Sequence, residues 1–136
     1  KMSVLGKEKI RSEIIDCGKV IEKITGEKTD LFRAPYGDYN DTVLTVARQE
    51  GYYTIQWSVD SLDWKPGITE DGILSRIKNV KSGDILLFHN DTAHTAKILG
   101  KAIDILTEKG LKAVPVSELI LRENFDIRYD GRQIKK

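Results

Sequence analysis

Residues 84–89 read Asp-Ile-Leu-Leu-Phe-His. It is a short, unbroken apolar run that follows Gly83, which is typical of a strand buried on both faces in a parallel sheet. We therefore predict a buried strand that ends at His89 and places the imidazole at the carboxyl end of the sheet.

Helices and strands alternate on both sides of this strand. Apolar residues at three- and four-residue steps predict helices over residues 7–25, 41–50, 70–80 and 94–109. Strands are predicted over residues 30–36, 52–60, 84–89 and 112–116. Asn40 and Thr69 are predicted to cap the helices that follow them, and Ser117 a last helical turn. Short connections between alternating elements predict an α/β fold whose crossover units form a parallel sheet.

Length, charge and cysteine content exclude several classes of protein. The chain has 136 residues, enough for one domain with one core. Its net charge is +1 and no block is strongly basic, which argues against nucleic acid as a partner. Cys17 is the only cysteine, so neither an intramolecular disulfide nor a cysteine-based metal site is expected.

Hydropathy bears on the location of the protein. No apolar run reaches the length of about 18 residues that a membrane helix needs, so no membrane span is expected in this chain. The chain opens without the basic and apolar regions of a signal peptide, and we expect any export signal to lie upstream.

Residues that could carry chemistry follow the predicted strands. They are Arg33–Gly37, Asp60–Trp64 and His89–Asp91. In parallel α/β folds, binding and catalytic residues lie just past the carboxyl ends of the strands. This coincidence favours one functional site at the end of the sheet.

His89 and a nearby carboxylate are the first candidates in that site. An imidazole exchanges a proton near neutral pH, and a carboxylate beside it orients the ring and stabilises its cation. Asp60 and Asp63 are both candidates for that carboxylate. The alternatives are a packing histidine and aspartates that cap a loop.

Arg33-Ala-Pro-Tyr-Gly is the second candidate segment. Pro35 restricts the backbone and Gly37 permits a positive φ, so the N–H of Tyr36 can be fixed in the way that an oxyanion hole requires. A tight turn explains the proline and glycine equally well. Arg33 at the end of a strand is expected to pair with a carboxylate.

The remaining candidates are Trp64 and His94. Trp64 is either a wall on which a sugar stacks or a lid on the core. His94 lies five residues after His89 but is expected near the start of a helix, so we predict that it is not a metal ligand. Phosphate-loop, serine-hydrolase and zincin motifs do not occur in the sequence.

Three segments, in this order, resemble motifs of the polysaccharide deacetylases, the NodB-homology group or carbohydrate esterase family four. They are residues 32–37, Phe-Arg-Ala-Pro-Tyr-Gly, residues 60–64, Asp-Ser-Leu-Asp-Trp, and residues 86–89, Leu-Leu-Phe-His. The resemblance covers residues 1–121 and corresponds to the last three of five family motifs. It implies the C-terminal portion of an irregular (β/α) barrel, with residues 122–136 as a polar tail or a small hairpin closed at Asp130-Gly131.

The resemblance also implies a reaction, the metal-assisted attack of water on an N-acetyl carbonyl of a cell-wall polysaccharide such as peptidoglycan or a chitin-like polymer. His89 would be the general acid, tuned by Asp63, or less favourably by Asp60. Arg33 would hold the catalytic-base aspartate, and the Tyr36 amide would bind the oxyanion. Three further residues would line the substrate groove: Pro35, Trp64 and Leu87.

The first two family motifs, which supply the base and the metal ligands, have no counterpart in this sequence. A divalent metal, with zinc favoured, is therefore expected in a complete domain and none in this chain alone. We expect a bacterial envelope or extracellular location, an N-acetylated glycan as substrate, and a sheet edge that pairs with an N-terminal segment or with a second copy. The alternatives are a non-catalytic carbohydrate-binding relative without the metal site and an α/β module whose strand-end residues are coincidental.

Overall fold

A computed structural model of the chain describes all residues from Lys1 to Lys136. It divides into two compact units, residues Lys1–Gln56 and Trp57–Lys136. Each unit has its own cluster of buried apolar side chains.

The first unit contains two helices and one pair of parallel strands. Its elements are α1 (Lys7–Thr25), β1 (Leu31–Phe32), a 3₁₀ turn (Pro35–Gly37), α2 (Asp41–Gln49) and β2 (Tyr53–Thr54). β1 and β2 pair in parallel, with Leu31 opposite Tyr53. The core joins the inner faces of α1 and α2, through Ile10, Ile14, Val43, Val46 and Ala47.

The second unit repeats this arrangement and adds a hairpin. Its elements are β3 (Val59–Asp60), α3 (Glu70–Ile77), β4 (Leu86–Leu87), α4 (Thr95–Glu108), α5 (Val116–Leu119), β5 (Phe125–Ile127) and β6 (Gln133–Lys135). β3 and β4 pair in parallel, with Asp60 opposite Leu87. The core lies between α3 and α4, through Ile73, Ile77, Val80, Ile98 and Ala102.

The predicted helices are confirmed with small differences at their ends. α1 ends at Gly26, whose φ of 77° is the left-handed conformation that terminates many helices. The side chain of Asn40 accepts a hydrogen bond from Val43 N at 3.0 Å, and that of Thr69 from Gly72 N at 3.1 Å. Both predicted N-caps are therefore present.

All four strand predictions need correction. The strand predicted over residues 30–36 shortens to Leu31–Phe32, and residues 35–37 form a 3₁₀ turn. The strand predicted over residues 52–60 is two short strands, because Tyr53–Thr54 pairs with β1 whereas Val59–Asp60 pairs with β4. The strand over residues 84–89 shortens to Leu86–Leu87, of which only Leu87 is buried. The strand over residues 112–116 is wrong, since no pairing forms there and the chain enters α5 directly.

The predicted cap of the last helical turn is also wrong. Ser117 lies inside α5, and the residue that precedes the helix is Pro115. A proline fixes φ near the value required to enter a helix, so the turn forms without a hydroxyl cap.

The C-terminal residues adopt the hairpin alternative. β5 and β6 pair antiparallel, with Asp126 opposite Ile134. The side-chain amide of Gln133 bonds the backbone of Leu121 twice, at 2.7 and 2.8 Å, and Arg132 Nη2 lies 3.2 Å from Asp84 Oδ1. The hairpin is thus attached to the rest of its unit, while the domain limit at residue 121 stays a prediction.

No helix of the chain is both long enough and apolar enough to cross a membrane. Each of the three sheets has two strands. Pairing of a strand edge with another chain stays a prediction.

Candidate active site

The centre of the candidate site is a histidine bound to a buried aspartate in the second unit. His89 follows β4, and its ring Nδ1 lies 2.7 Å from Asp63 Oδ1. The backbone N–H of His89 donates to Asp63 Oδ2 at 2.8 Å. One carboxylate therefore fixes both the main chain and the ring of His89, and the ring remains 35% exposed.

Asp63 is almost fully buried, at 3% exposure. Burial acts to raise the pKa of Asp63, but hydrogen bonds from the His89 N–H, the Thr95 hydroxyl, the His89 ring and Ser61 outweigh it, so that the pKa is lowered. The carboxylate is consequently charged at neutral pH and can only accept hydrogen bonds. It follows that Nδ1 of His89 carries a proton, which leaves Nε2 to exchange a proton with a ligand.

The loop between β3 and Trp64 separates the two candidate aspartates. Asp60 Oδ1 accepts a hydrogen bond from Leu62 N at 2.9 Å, which is the capping role. Leu62 has a φ of 55°, a conformation that is uncommon outside glycine. Ser61 is buried, and its hydroxyl accepts the N–H of Asp63 at 3.3 Å. The loop therefore places Asp63 against the imidazole and leaves Asp60 bonded to the Leu62 N–H.

Trp64 stands beside the histidine. Its ring meets that of His89 edge to face, with centroids 6.4 Å apart and an interplanar angle of 73°. The indole is 55% exposed and borders an open cavity of about 280 Å³. Residues 63–68 and 90–94 line this cavity, which is large enough for part of a sugar ring.

Leu87 and His94 complete the candidates of the second unit. Leu87 is 7% exposed and lies in β4 opposite Asp60. His94 is the N-cap residue of α4, as predicted, and its Nδ1 lies 3.6 Å from Glu70 Oε1. That distance is too long for a hydrogen bond, so the pair is a loose electrostatic contact.

The other three candidates belong to the first unit. Arg33 directly follows β1 and is exposed. Pro35 opens the 3₁₀ turn, and Tyr36 within it has a φ of 60° and a side chain that is 91% exposed. The sequence predicted a positive φ at Gly37, which has 65°, but it did not predict the same conformation at Tyr36. A non-glycine residue in this region often marks a functional turn.

The residues of this chain do not fit a metal ion. No group of three or more histidine, cysteine, aspartate or glutamate side chains could hold one. The divalent metal that the resemblance implies therefore has no clustered set of ligands among these 136 residues.

Sequence reasoning missed Thr92 and Thr95. The hydroxyl of Thr95 donates to Asp63 Oδ2 at 2.5 Å, and that of Thr92 donates to Thr95 at 2.6 Å. The only available signal was a pair of threonines three residues apart at the predicted start of α4, a place where threonine side chains commonly bond nearby backbone groups. That signal gives no indication of a contact with Asp63.

Comparison with known proteins gives one family match to part of the chain and relatives that align with most of it. The polysaccharide deacetylase family matches residues 1–55. A peptidoglycan-N-acetylglucosamine deacetylase of Bacillus cereus is 41% identical over 83% of this chain and 55% of its own length. A chitooligosaccharide deacetylase of Sinorhizobium fredii is 33% identical over 65% of this chain and 42% of its own length. This chain thus spans about half the length of these curated relatives.

Solved structures give the same result. A family 4 carbohydrate esterase from Streptomyces lividans, in complex with acetate, has a TM-score of 0.77 at 28% identity, over 96% of this chain and 62% of that one. A CE4 family pseudoenzyme from Bacillus anthracis has a TM-score of 0.79 at 32% identity, over 86% of this chain and 41% of that one.

These structures have a (β/α) barrel, and the match confirms the predicted fold class of alternating β/α units with parallel strands. The three sequence motifs, the fold and the named relatives agree with one another. The chain therefore belongs to the polysaccharide deacetylase family, the family 4 carbohydrate esterases.

Proposed function

We propose that the protein containing this chain hydrolyses N-acetyl groups of a cell-wall polysaccharide, either peptidoglycan or a chitin-like polymer. The observation that carries the proposal is the buried, charged Asp63 bound to both the ring and the backbone of a partly exposed His89. The names of the relatives supply the substrate class, an N-acetylated glycan. The peptidoglycan substrate named for the Bacillus cereus relative supports an envelope or extracellular location.

His89 is the general acid in this proposal. When the tetrahedral intermediate collapses, the carbon–nitrogen bond breaks and the nitrogen must gain a proton to leave as an amine. His89 gives that proton from Nε2, and Asp63 stabilises the imidazolium that precedes the transfer. The edge contact with Trp64 limits the positions that the ring can adopt.

The remaining candidates have supporting roles. Trp64 provides a face for the sugar, and Pro35 and Leu87 shape the groove. The Tyr36 N–H donates a hydrogen bond to the oxyanion, and Arg33 holds the carboxylate of the catalytic base. The left-handed backbone at Tyr36 supports its assignment, because strained turns are typical of such sites.

A divalent metal, with zinc favoured, completes the site in the proposed enzyme. It would act on the carbonyl as a Lewis acid. The clustered side chains of this chain supply no ligand set, so this chain contributes the acid and oxyanion part of the site.

The test is acetate release from an N-acetylglucosamine oligomer by the protein as its gene encodes it. His89→Ala should lower kcat by about 10²–10⁴-fold with little change in KM. Asp63→Asn should lower kcat less, and the double variant should resemble His89→Ala because both residues serve one proton transfer. Thr107→Val, which alters an exposed hydroxyl of α4 bonded to Ile103 O, is the control. A His89→Ala protein with full activity would refute the assignment.

The second candidate function is a non-catalytic, glycan-binding protein. A specific observation favours it, namely the likeness to the Bacillus anthracis pseudoenzyme and to a mutant of it with restored enzymatic activity, which has a TM-score of 0.80 at 33% identity. The same oligomer distinguishes the two candidates. Binding without acetate release, with zinc supplied, would establish the pseudoenzyme.

A further inference from the structure

Two threonine hydroxyls form a chain of hydrogen bonds that ends on Asp63. The Thr92 hydroxyl donates to Thr95 Oγ1 at 2.6 Å, and the Thr95 hydroxyl donates to Asp63 Oδ2 at 2.5 Å. Thr92 Oγ1 in turn accepts the backbone N–H of Thr95 at 3.3 Å. All three residues belong to the second unit, and Thr95 is the first residue of α4.

The direction of these bonds determines where the protons lie. A hydroxyl has one proton to donate, and Thr95 donates its proton to Asp63. Oδ2 of Asp63 accepts from Thr95 and from the His89 N–H, so Oδ1 is left to accept from the His89 ring. The hydroxyl thus prevents the carboxylate from rotating away from the imidazole.

An ordinary helix cap explains only half of this arrangement. The contact of Thr92 Oγ1 with the Thr95 N–H satisfies one of the free backbone N–H groups at the start of α4. A cap does not require the Thr95 hydroxyl to reach a carboxylate that is 3% exposed. Hydrogen bonds to a charged group are stronger than those between neutral groups. The bond from the Thr95 hydroxyl therefore contributes to holding the Asp63 carboxylate in its orientation.

We infer that Thr95, supported by Thr92, is a positioning residue that fixes the carboxylate of Asp63 and thereby the tautomer of His89. With Thr95 in place, the His89 proton resides on Nδ1, and Nε2 is the nitrogen that meets the substrate. Without Thr95, the carboxylate of Asp63 turns and the proton of the neutral His89 ring redistributes to Nε2. A ring in that tautomer has no proton on Nδ1 to donate to Asp63.

The surrounding charges do not offer another explanation. His89 is the only basic side chain that bonds to Asp63. Lys65, Asp91 and His94 line the neighbouring cavity and make no hydrogen bond with the Asp63 carboxylate. The N-terminus of α4 also favours a negative charge beside it, which acts in the same direction as the Thr95 hydroxyl.

The test is the tautomer of His89 in the ¹⁵N-labelled chain, read from the ring nitrogen shifts at a pH where the ring is neutral. The ratio of the Nδ1–H to the Nε2–H form should fall about 10-fold in Thr95→Val, the factor equivalent to one hydrogen bond to a charged group. Thr95→Ser keeps the hydroxyl and should restore the ratio. Thr107→Val, in the same helix, should leave it unchanged.

A folded Thr95→Val chain with the parental ratio would overturn the inference. If that variant does not fold, Thr92→Val decides, because Thr92 makes no hydrogen bond with the Asp63 carboxylate and its loss should still lower the ratio through Thr95. An unchanged ratio there would also overturn it.

The catalytic meaning of this inference rests on the proposed role of His89, but its measurement does not. In the active protein, Thr95→Val should lower kcat with little change in KM, and Thr95→Ser should recover it. A tautomer shift in a protein that releases no acetate would leave the threonine role intact and refute the deacetylase proposal alone.

Discussion

Asp63 illustrates how a single buried residue can remain charged. Removing a carboxylate from water without partners costs several kcal/mol and normally shifts its pKa upward. Asp63 instead accepts bonds from the His89 N–H, the His89 ring and the Thr95 hydroxyl, and its pKa is lowered. The charge that His89 needs beside it is therefore available throughout the neutral range.

Trp64 leads to a prediction about binding. The indole is 55% exposed, borders the cavity and touches His89 edge to face. We expect Trp64→Ala to weaken the binding of an N-acetylglucosamine oligomer by roughly 2- to 12-fold, equivalent to an aromatic contact of about 0.5–1.5 kcal/mol. Calorimetry measures the change.

The control for this variant is Tyr129→Ala. Tyr129 is 97% exposed and stacks on Arg128, outside the residues that line the cavity. It should leave the affinity unchanged. Equal affinity of the Trp64→Ala and parental proteins would make Trp64 a lid on the core rather than a sugar wall.

The sequence predicted which residues follow the strands better than it predicted the backbone conformations of those residues. His89, Asp63 and Trp64 were found because they follow predicted strands, and the structure places them in contact. Thr95 was not found, since its contact with Asp63 spans 32 residues of sequence. The positive φ of Leu62 was also unpredicted, because only tertiary contacts make that conformation tolerable for leucine.

At the scale of the element, two helical glycines give opposite predictions. Gly100 in α4 has open space around the position of a Cβ, so Gly100→Ala should raise the free energy of unfolding by about 0.5–1 kcal/mol through helix propensity. A Cβ on Gly18 in α1 would instead collide with the Tyr52 hydroxyl, which bonds Thr29 at 3.2 Å.

Gly18→Ala should therefore lower the free energy of unfolding by about 1 kcal/mol, because overpacking outweighs the gain in propensity. Urea unfolding followed by circular dichroism measures both variants. A gain at Gly18 similar to that at Gly100 would show that the Tyr52 ring moves aside without loss.

Helices were more predictable than strands for a physical reason. An α-helix satisfies its hydrogen bonds within itself, so the apolar period of residues 7–25 was enough to place α1. A strand exists only where a partner lies beside it. The alternation over residues 52–60 was real, yet its two ends pair with different strands, and residues 112–116 pair with none.

In the whole molecule, tryptophan fluorescence reports on only one of the two units. Both tryptophans, Trp57 and Trp64, lie in the second unit. Tryptophan fluorescence therefore follows the unfolding of the unit that contains Asp63 and Asp84. These two carboxylates are the groups of that unit whose pKa is lowered.

The stability of the second unit should fall in acid because Asp63 and Asp84 become protonated. Burial acts to raise the pKa of Asp84, but hydrogen bonds from Lys81 and Ser58 and contacts with Arg132 outweigh it, and the pKa is lowered, as at Asp63. The unfolded chain then binds more protons than the folded one below the ordinary value of 3.8. The stability from these two groups is fully present above that pH and is lost as the pH falls below it, through the lowered folded-state values.

Urea titrations followed by tryptophan fluorescence, from about pH 7 down to about pH 3, should show a free energy of unfolding that falls steeply only below about pH 4. Asp63→Asn and Asp84→Asn should each lower stability at neutral pH and reduce the steepness of that fall. The control is Asp126→Asn, which changes a carboxylate that is 71% exposed and pairs with Lys136 in the hairpin. An equally steep fall in the Asp63→Asn/Asp84→Asn double variant would mean that other carboxylates control the acid response, and that the hydrogen bonds around Asp63 do not favour its charged form.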